Sequence, residues 1–203
     1  MKVRTNNMIK PNDFDQTQAY TGFTPLAPGG HICKIMDVKE VTSQKGGRPM
    51  IVVSIDTDKS DSQPNYFTDQ FKNNNKIGKK WSNNAVARQL VFDTDGNTNK
   101  GFKTFIETVE KSNNGFKVAW GDGFANCFKG KLIGGVFGRE EYMNDSTGEC
   151  KFATKFQSFR TVEDIKKGVE IPKDKLLNPS GNNNAPDIYG DLQIDNTDSE
   201  MPF

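Results

Sequence analysis

Phe102-Lys103-Thr104-Phe105-Ile106-Glu107-Thr108-Val109-Glu110-Lys111 decides the fold. Phe102, Phe105, Ile106 and Val109 recur at i, i+3, i+4 and i+7, which is one apolar stripe on a helix. Asn113-Asn114-Gly115 then ends the helix. The spacing makes these rings core residues rather than ligand contacts. No other stretch of the chain has so clear a helical period, so the rest is read around this element.

Working outward, both flanks read as β-hairpins. On the C-terminal side, residues 130–142 form a strand carrying several glycines, Asn144-Asp145-Ser146-Thr147-Gly148 a turn, and residues 150–162 a final strand. In that strand Phe152, Thr154, Phe156 and Ser158 alternate with Ala153, Lys155, Gln157 and Phe159, so Phe156 and Phe159 are expected on opposite faces. On the N-terminal side, residues 31–41 are a strand in which Ile32, Ile35, Val38 and Val41 do not alternate cleanly, predicting a bulge. A turn at 42–48 leads to a β-branched strand at 49–57. Residues 58–100 are the least regular. Tyr66 to Phe71 read as a short strand, and Ala85 to Phe92 fit a helix or a strand equally.

The order is hairpin, irregular strand, helix, hairpin. That predicts a mainly β chain: an OB-fold five-stranded Greek-key barrel with one helix between strands 3 and 4. An SH3-like barrel is the rival, but it would not usually carry a helix of this length there. The expected division is an irregular N-terminal arm at 1–24, the barrel at 25–176, and a disordered acidic tail at 177–203. Phe14, Tyr20 and Phe23 would pack the arm.

Composition narrows the function. The chain has 203 residues, 33% hydrophobic content and no apolar run of membrane-spanning length, so no membrane association is expected. The first fifteen residues have no apolar core of a secretory signal, and three widely spaced cysteines suit a reducing, cytoplasmic setting. The net charge of +1 hides a separation: residues 181–203 carry five acids and no base, which leaves 27 bases against 21 acids in the preceding 180 residues. A basic body tethered to an acidic tail suits a protein that binds a polyanion.

Binding a single nucleic-acid strand requires cations for phosphates and flat rings for unstacked bases. The candidates are Lys45 and Arg48 at the first hairpin turn; Lys79, Lys80 and Trp81; Arg139 with Tyr142; and Lys155, Phe156 and Arg160 on the final strand. Trp81, in a polar context, is expected at the surface, and Trp120, in Phe116-Lys117-Val118-Ala119-Trp120, in the core.

Catalytic chemistry is thinly represented, and no enzyme is expected. His31 is the single histidine and reads as structural, so no Ser/His/Asp or Cys/His arrangement extends beyond it. Cys33, Cys127 and Cys150 lack zinc-ligand spacing, and no phosphate-binding glycine loop or other cofactor motif occurs. The alternative function is a metal-dependent nuclease, or other nucleic-acid enzyme, using Asp56 and Asp58. A third is an adaptor that binds only protein.

The final residues are Asp195, then Asp198-Ser199-Glu200-Met201-Pro202-Phe203. An acidic run ending on an apolar tip reads as a docking peptide, with the Phe203 ring buried in a partner's pocket and the carboxylates on basic residues. A frayed terminus is the plain alternative.

This ending, with Met201 where Ile is usual, resembles the tail of bacterial and phage single-stranded DNA-binding proteins. From about Pro28 to Lys175 the chain also resembles a phage-encoded family of such proteins. The matching stretches are residues 28–35, Gly101-Phe102-Lys103-Thr104-Phe105-Ile106, residues 129–142, and Ile165-Lys166-Lys167-Gly168 before Ile171-Pro172. Residues 58–100 match weakly. The resemblance implies an OB-type core and a role in phage DNA replication or recombination. The expected partners are single-stranded DNA and replication or recombination proteins, the latter held by Asp195, Asp198, Glu200, Met201, Pro202 and Phe203. A homo-oligomer is compatible with this reading.

Overall fold

The computed structural model describes residues 9–16, 24–44 and 46–177. Five antiparallel strands form one sheet in the order β3-β2-β1-β4-β5. The strands are β1 (Gly29–Thr42), β2 (Pro49–Thr57), β3 (Val86–Leu90), β4 (Leu132–Met143) and β5 (Cys150–Arg160). The sheet curls until β3 and β5 approach each other, and no ladder joins those two among the described residues. The result is a nearly closed barrel of the OB type, with its long helix between β3 and β4, as the sequence predicts.

β1 makes the curl possible. It pairs with β4 from Gly29↔Phe137 to Lys34↔Leu132 and with β2 from Cys33↔Thr57 to Thr42↔Pro49, so only Cys33 and Lys34 carry both ladders. The register slips between Ile35 and Asp37, leaving Met36 as an extra residue. This is the bulge that the broken alternation predicts. It lets Ile35 and Met36 both be buried while the strand coils from one partner to the other.

The long helix, here α2 (Lys100–Ser112), follows a shorter one, α1 (Tyr66–Lys72). All four stripe residues of α2, Phe102, Phe105, Ile106 and Val109, are buried. Phe105 meets Phe128 and Phe159 at ring separations of 5.0 and 5.1 Å. Each fully buried aromatic or branched side chain contributes about 1.5–3 kcal/mol relative to exposure. Asn99 caps α2: its Oδ1 accepts from the Gly101 and Phe102 amides and from Gln89 Nε2. Glycine at 101 leaves room for that Gln89 amide, since a Cβ there would lie 2.4 Å from Gln89 Oε1. At the other end Asn113 accepts from the Leu132 amide and donates to the Val109 and Leu132 carbonyls, tying the helix to the start of β4.

Residues 66–71, expected as a strand, are helical. Phe67 and Phe71 are one turn apart and both buried, so the apolar pair obeys a period of 3.6, not 2. Asn65, in the left-handed region at φ 52°, supplies no side-chain cap. Buried Asp56 does so from β2, its carboxylate accepting from the Phe67 and Thr68 amides as well as from Thr57. Residues 85–92 resolve as a 3₁₀ turn at Asn83–Ala85 followed by β3.

The last strand ends at Arg160 rather than 162, and a short helix, α3 (Val162–Lys167), follows. Thr161 and Asp164 form its capping box. The chain then lies along β4: the Lys175 amide donates to the Arg139 carbonyl, and the Glu141 amide to the Lys175 carbonyl. Of the arm rings, Phe14 is exposed with the Lys10 ammonium 5.3 Å from its centroid, so it packs no core. Tyr20 and Phe23 fall outside the described residues, as do Lys45 and the tail from 178 onward.

Candidate nucleic-acid interface

Two places gather the expected cations and rings. The first is the β4–β5 arm. β1 leaves β4 at Phe137, yet β4 and β5 stay paired as far as Met143↔Cys150. Beyond Phe137 the hairpin therefore runs on without β1, and residues 174–177 flank it instead. Register puts Arg139, Glu141, Met143 and Phe152 on one face, and Glu140, Tyr142, Lys151 and Lys155 on the other. Tyr142, Met143 and Phe152 are 39%, 58% and 43% exposed, unusually apolar for a protruding hairpin.

The arm's cations are held in place. The Arg139 guanidinium lies 5.1 Å from the Phe152 centroid and forks onto the Asp174 carboxylate. Lys155 and Lys175 each approach Glu140 at 3.0 Å. Partial burial would raise the Glu140 pKa, but the two ammonium groups outweigh it and hold the carboxyl below its ordinary value. Each of these three cations is thus held by a carboxylate at the arm's base, Arg139 by Asp174 and both lysines by Glu140.

The second place is the seam between β3 and β5. It holds a cleft of about 390 Å³ lined by Arg88, Phe156, Gln157, Ser158, Arg160 and Lys175 among others. The expectation that Phe156 and Phe159 face opposite ways is corrected here. Val136 pairs with Ser158 and Phe137 with Phe156, so Gln157 is an extra residue. This second bulge breaks the alternation and turns both rings inward, 4.6 Å apart. Phe156 stays partly exposed along the cleft, while Phe159 is buried. Arg160 is exposed, donating from Nη1 to the Phe159 carbonyl.

Arg88 is absent from the sequence reading. Its register, Lys39↔Val52 and Val52↔Arg88, puts it in line with Lys39 across three strands. Only Nη2 has a described partner, Asn83 Oδ1 at 3.1 Å, while Nε is buried with none. Burial lowers the pKa of this guanidinium. The alternation Val86-Ala87-Arg88-Gln89-Leu90 carries the signal, but only once 85–92 is known to be a strand.

The Lys79-Lys80-Trp81 segment does not behave as expected. Trp81 is 9% exposed and its ring lies 6.0 Å from Phe71, so the indole is part of the core and offers no open face to a base. The Lys79 ammonium lies 4.6 Å from the Phe71 centroid, closing over the same cluster, while Lys80 is exposed. Trp120 is the converse: expected inside, it is 67% exposed and stacked on Phe124 at 5.4 Å. The polar neighbours of Trp81 follow the chain and not the space, and α1 brings Phe71 to it. Arg48 closes the first hairpin turn through backbone bonds with Ser43, its side chain half-buried.

The titratable groups near β2 have structural tasks. His31 is buried, its Nδ1 2.9 Å from Asp61 Oδ1 and its Nε2 2.9 Å from the Ala27 carbonyl. Burial disfavours the charged ring, but Asp61 and the carbonyl outweigh it and raise the His31 pKa, while the Asp61 pKa is lowered. Asp58 accepts from the Ser60 amide and hydroxyl. With Asp56 capping α1, the two carboxylates proposed for a nuclease both serve local backbone. Among the described residues, no three His, Cys, Asp or Glu side chains converge as a metal site, and no helix is long and apolar enough to cross a membrane.

Neither the known protein-family models nor the curated proteins match this chain.

Proposed function

We propose that this protein binds single-stranded DNA with little sequence preference, in the host cytoplasm, during phage replication or recombination, and that its acidic tail recruits partner proteins. The observation that carries this is the β4–β5 arm of an OB-type barrel, with exposed Phe152 beside Arg139 on one face and exposed Tyr142 on the same face as Lys155 on the other. Such barrels offer a strand face and two hairpin loops to oligonucleotides. Rings stack on bases of any identity, and each stacked base is worth about 1–3 kcal/mol. The cations follow the backbone, which every sequence shares. The tail's part rests on Asp195, Asp198, Glu200, Met201, Pro202 and Phe203 alone.

The test is fluorescence anisotropy with labelled oligo-dT against a duplex of equal length. Tight, salt-sensitive binding to the single strand is expected, with Tyr142→Ala weakening it by about 1–3 kcal/mol. Equal affinity for the duplex, or none for either, overturns the reading. For the tail, deletion of Phe203 should abolish capture of replication proteins from host extract and leave oligo-dT affinity unchanged.

A further inference from the structure

Two residues that line the seam cleft carry buried donors without acceptors. Arg88 Nε and Gln157 Nε2 are both shielded from water and have no hydrogen-bond partner. A stranded buried donor costs stability, and folded proteins keep few of them. Here both belong to residues lining one cleft, about 390 Å³ in volume. Neither is a consequence of crowding in the core, since both side chains are only partly buried. Gln157 owes its place to the β5 bulge, and its amide lies over Gly138, where a Cβ would come within 2.2 Å of Nε2. A glycine on β4 and an extra residue on β5 together seat that amide against β4 at the side of the cleft.

The electrostatics of the cleft favour an anion. Arg88 and Arg160 make no ion pair among the described residues, whereas Glu140, the acid on the rim, is already shared by Lys155 and Lys175. An incoming anion meets a guanidinium that has lost part of its hydration, which strengthens the contact. The Phe156 ring adds an apolar wall. A simple inorganic anion would use the arginine alone. A phosphate with its base attached uses all three: guanidinium for the phosphodiester, carboxamide for a base edge, ring for the base or sugar face.

We propose that the β3–β5 seam is a subsite for one nucleotide of a bound single strand, with its phosphate on Arg88 and its base between Gln157 and Phe156. This rests on the single-strand reading above. The strand would reach the seam along the Lys39–Val52–Arg88 row of the sheet.

The experiment measures anisotropy of labelled oligo-dT over a range of salt, with melting temperature recorded for each variant. Arg88→Gln should weaken binding roughly tenfold and flatten the plot of log affinity against log salt by about 0.7, the share of one phosphate on a single strand. Arg88→Lys should keep the salt slope and lose a few-fold in affinity, because an ammonium cannot fork. Gln157→Glu is the sharpest variant. A carboxylate in the same cleft gives Arg88 its missing partner, so the melting temperature should rise while oligo-dT affinity falls roughly tenfold. If wild type binds oligo-dT and the folded Arg88→Gln and Gln157→Glu variants bind it equally well, the subsite is refuted and the single-strand reading stands. If wild type ignores oligo-dT, both fall together.

Discussion

The surroundings of the two tryptophans differ in a way that local sequence inverts. Trp81 follows two lysines and precedes Ser82-Asn83-Asn84, yet it is buried against Phe71. Trp120 ends an apolar run, yet two thirds of it is open to solvent. The difference lies in what the chain returns to cover each ring. α1 and the Lys79 stem close over the first, while the second rests on Phe124 and the edge of Phe102 and stays open on its outer side. Burial is decided by tertiary return, and neighbours in sequence are a poor guide to it.

The comparison can be broken most directly by truncation. Trp81→Ala should lower unfolding free energy by about 3–5 kcal/mol, the cost of a large aromatic lost from a core. Urea denaturation of the two alanine variants, read by far-UV circular dichroism, checks this. Equal losses at positions 81 and 120 would overturn the contrast.

The covered side also carries the buried His31–Asp61 pair, which predicts a pH signature. The folded His31 pKa is above its ordinary value of 6.5, so its contribution is complete below that pH and is lost as pH rises through the folded value. Asp61 is shifted down, so its contribution is complete above about pH 4 and is lost as pH falls through its folded value. Stability should therefore be greatest between roughly pH 4 and 6.5. Melting temperature should decline from pH 6.5 upward, and His31→Gln should remove that decline. A wild-type profile flat across the alkaline range would show that the pair is not coupled to folding.

The smaller effects belong to the open side. Trp120→Ala should cost about 1–2 kcal/mol, the scale of its contacts with Phe124 and the edge of Phe102. In the folded protein, acrylamide should quench the emission of a Trp81→Phe variant, which retains only Trp120. It should leave a Trp120→Phe variant nearly unquenched. Similar quenching in both would mean that Trp81 is reached by solvent.

Much of the barrel was legible because periodicity reports burial directly. The stripe Phe102, Phe105, Ile106 and Val109 marked α2, and 49–57 matched β2 to the residue. The uneven spacing of Ile32, Ile35, Val38 and Val41 pointed to the bulge at Met36. The second bulge left no such trace, because 150–160 alternates acceptably with or without Gln157 as an extra residue. It became visible only through pairing with β4. α1 is hard to read because residues 66–71 also fit a short extended run, and its cap, Asp56, lies outside the local sequence. α3 was findable: Thr161-Val162-Glu163-Asp164 carries a capping box in its letters. Of the expected interface, Arg139, Tyr142 and Lys155 all lie on the arm, Arg139 on one face and the other two on the opposite face, and Phe156 and Arg160 line the cleft. Arg88 depended on a strand assignment that propensity alone did not give.

The divided pairing of β1 also shapes how the molecule is made. Its second half finds β2 through a short turn, but Gly29 must wait for Phe137, more than a hundred residues later. During synthesis the first hairpin therefore emerges with one edge of its central strand, Gly29 to Lys34, still without its β4 partner. The Cys33 and Ile35 side chains, completely buried in the finished barrel, reach that state only once β4 has been translated and paired. Contacts so distant along the chain place folding in the slower range for small domains, milliseconds to seconds. Over that interval the nascent protein presents an open strand edge, which makes early release of a truncated chain an aggregation hazard.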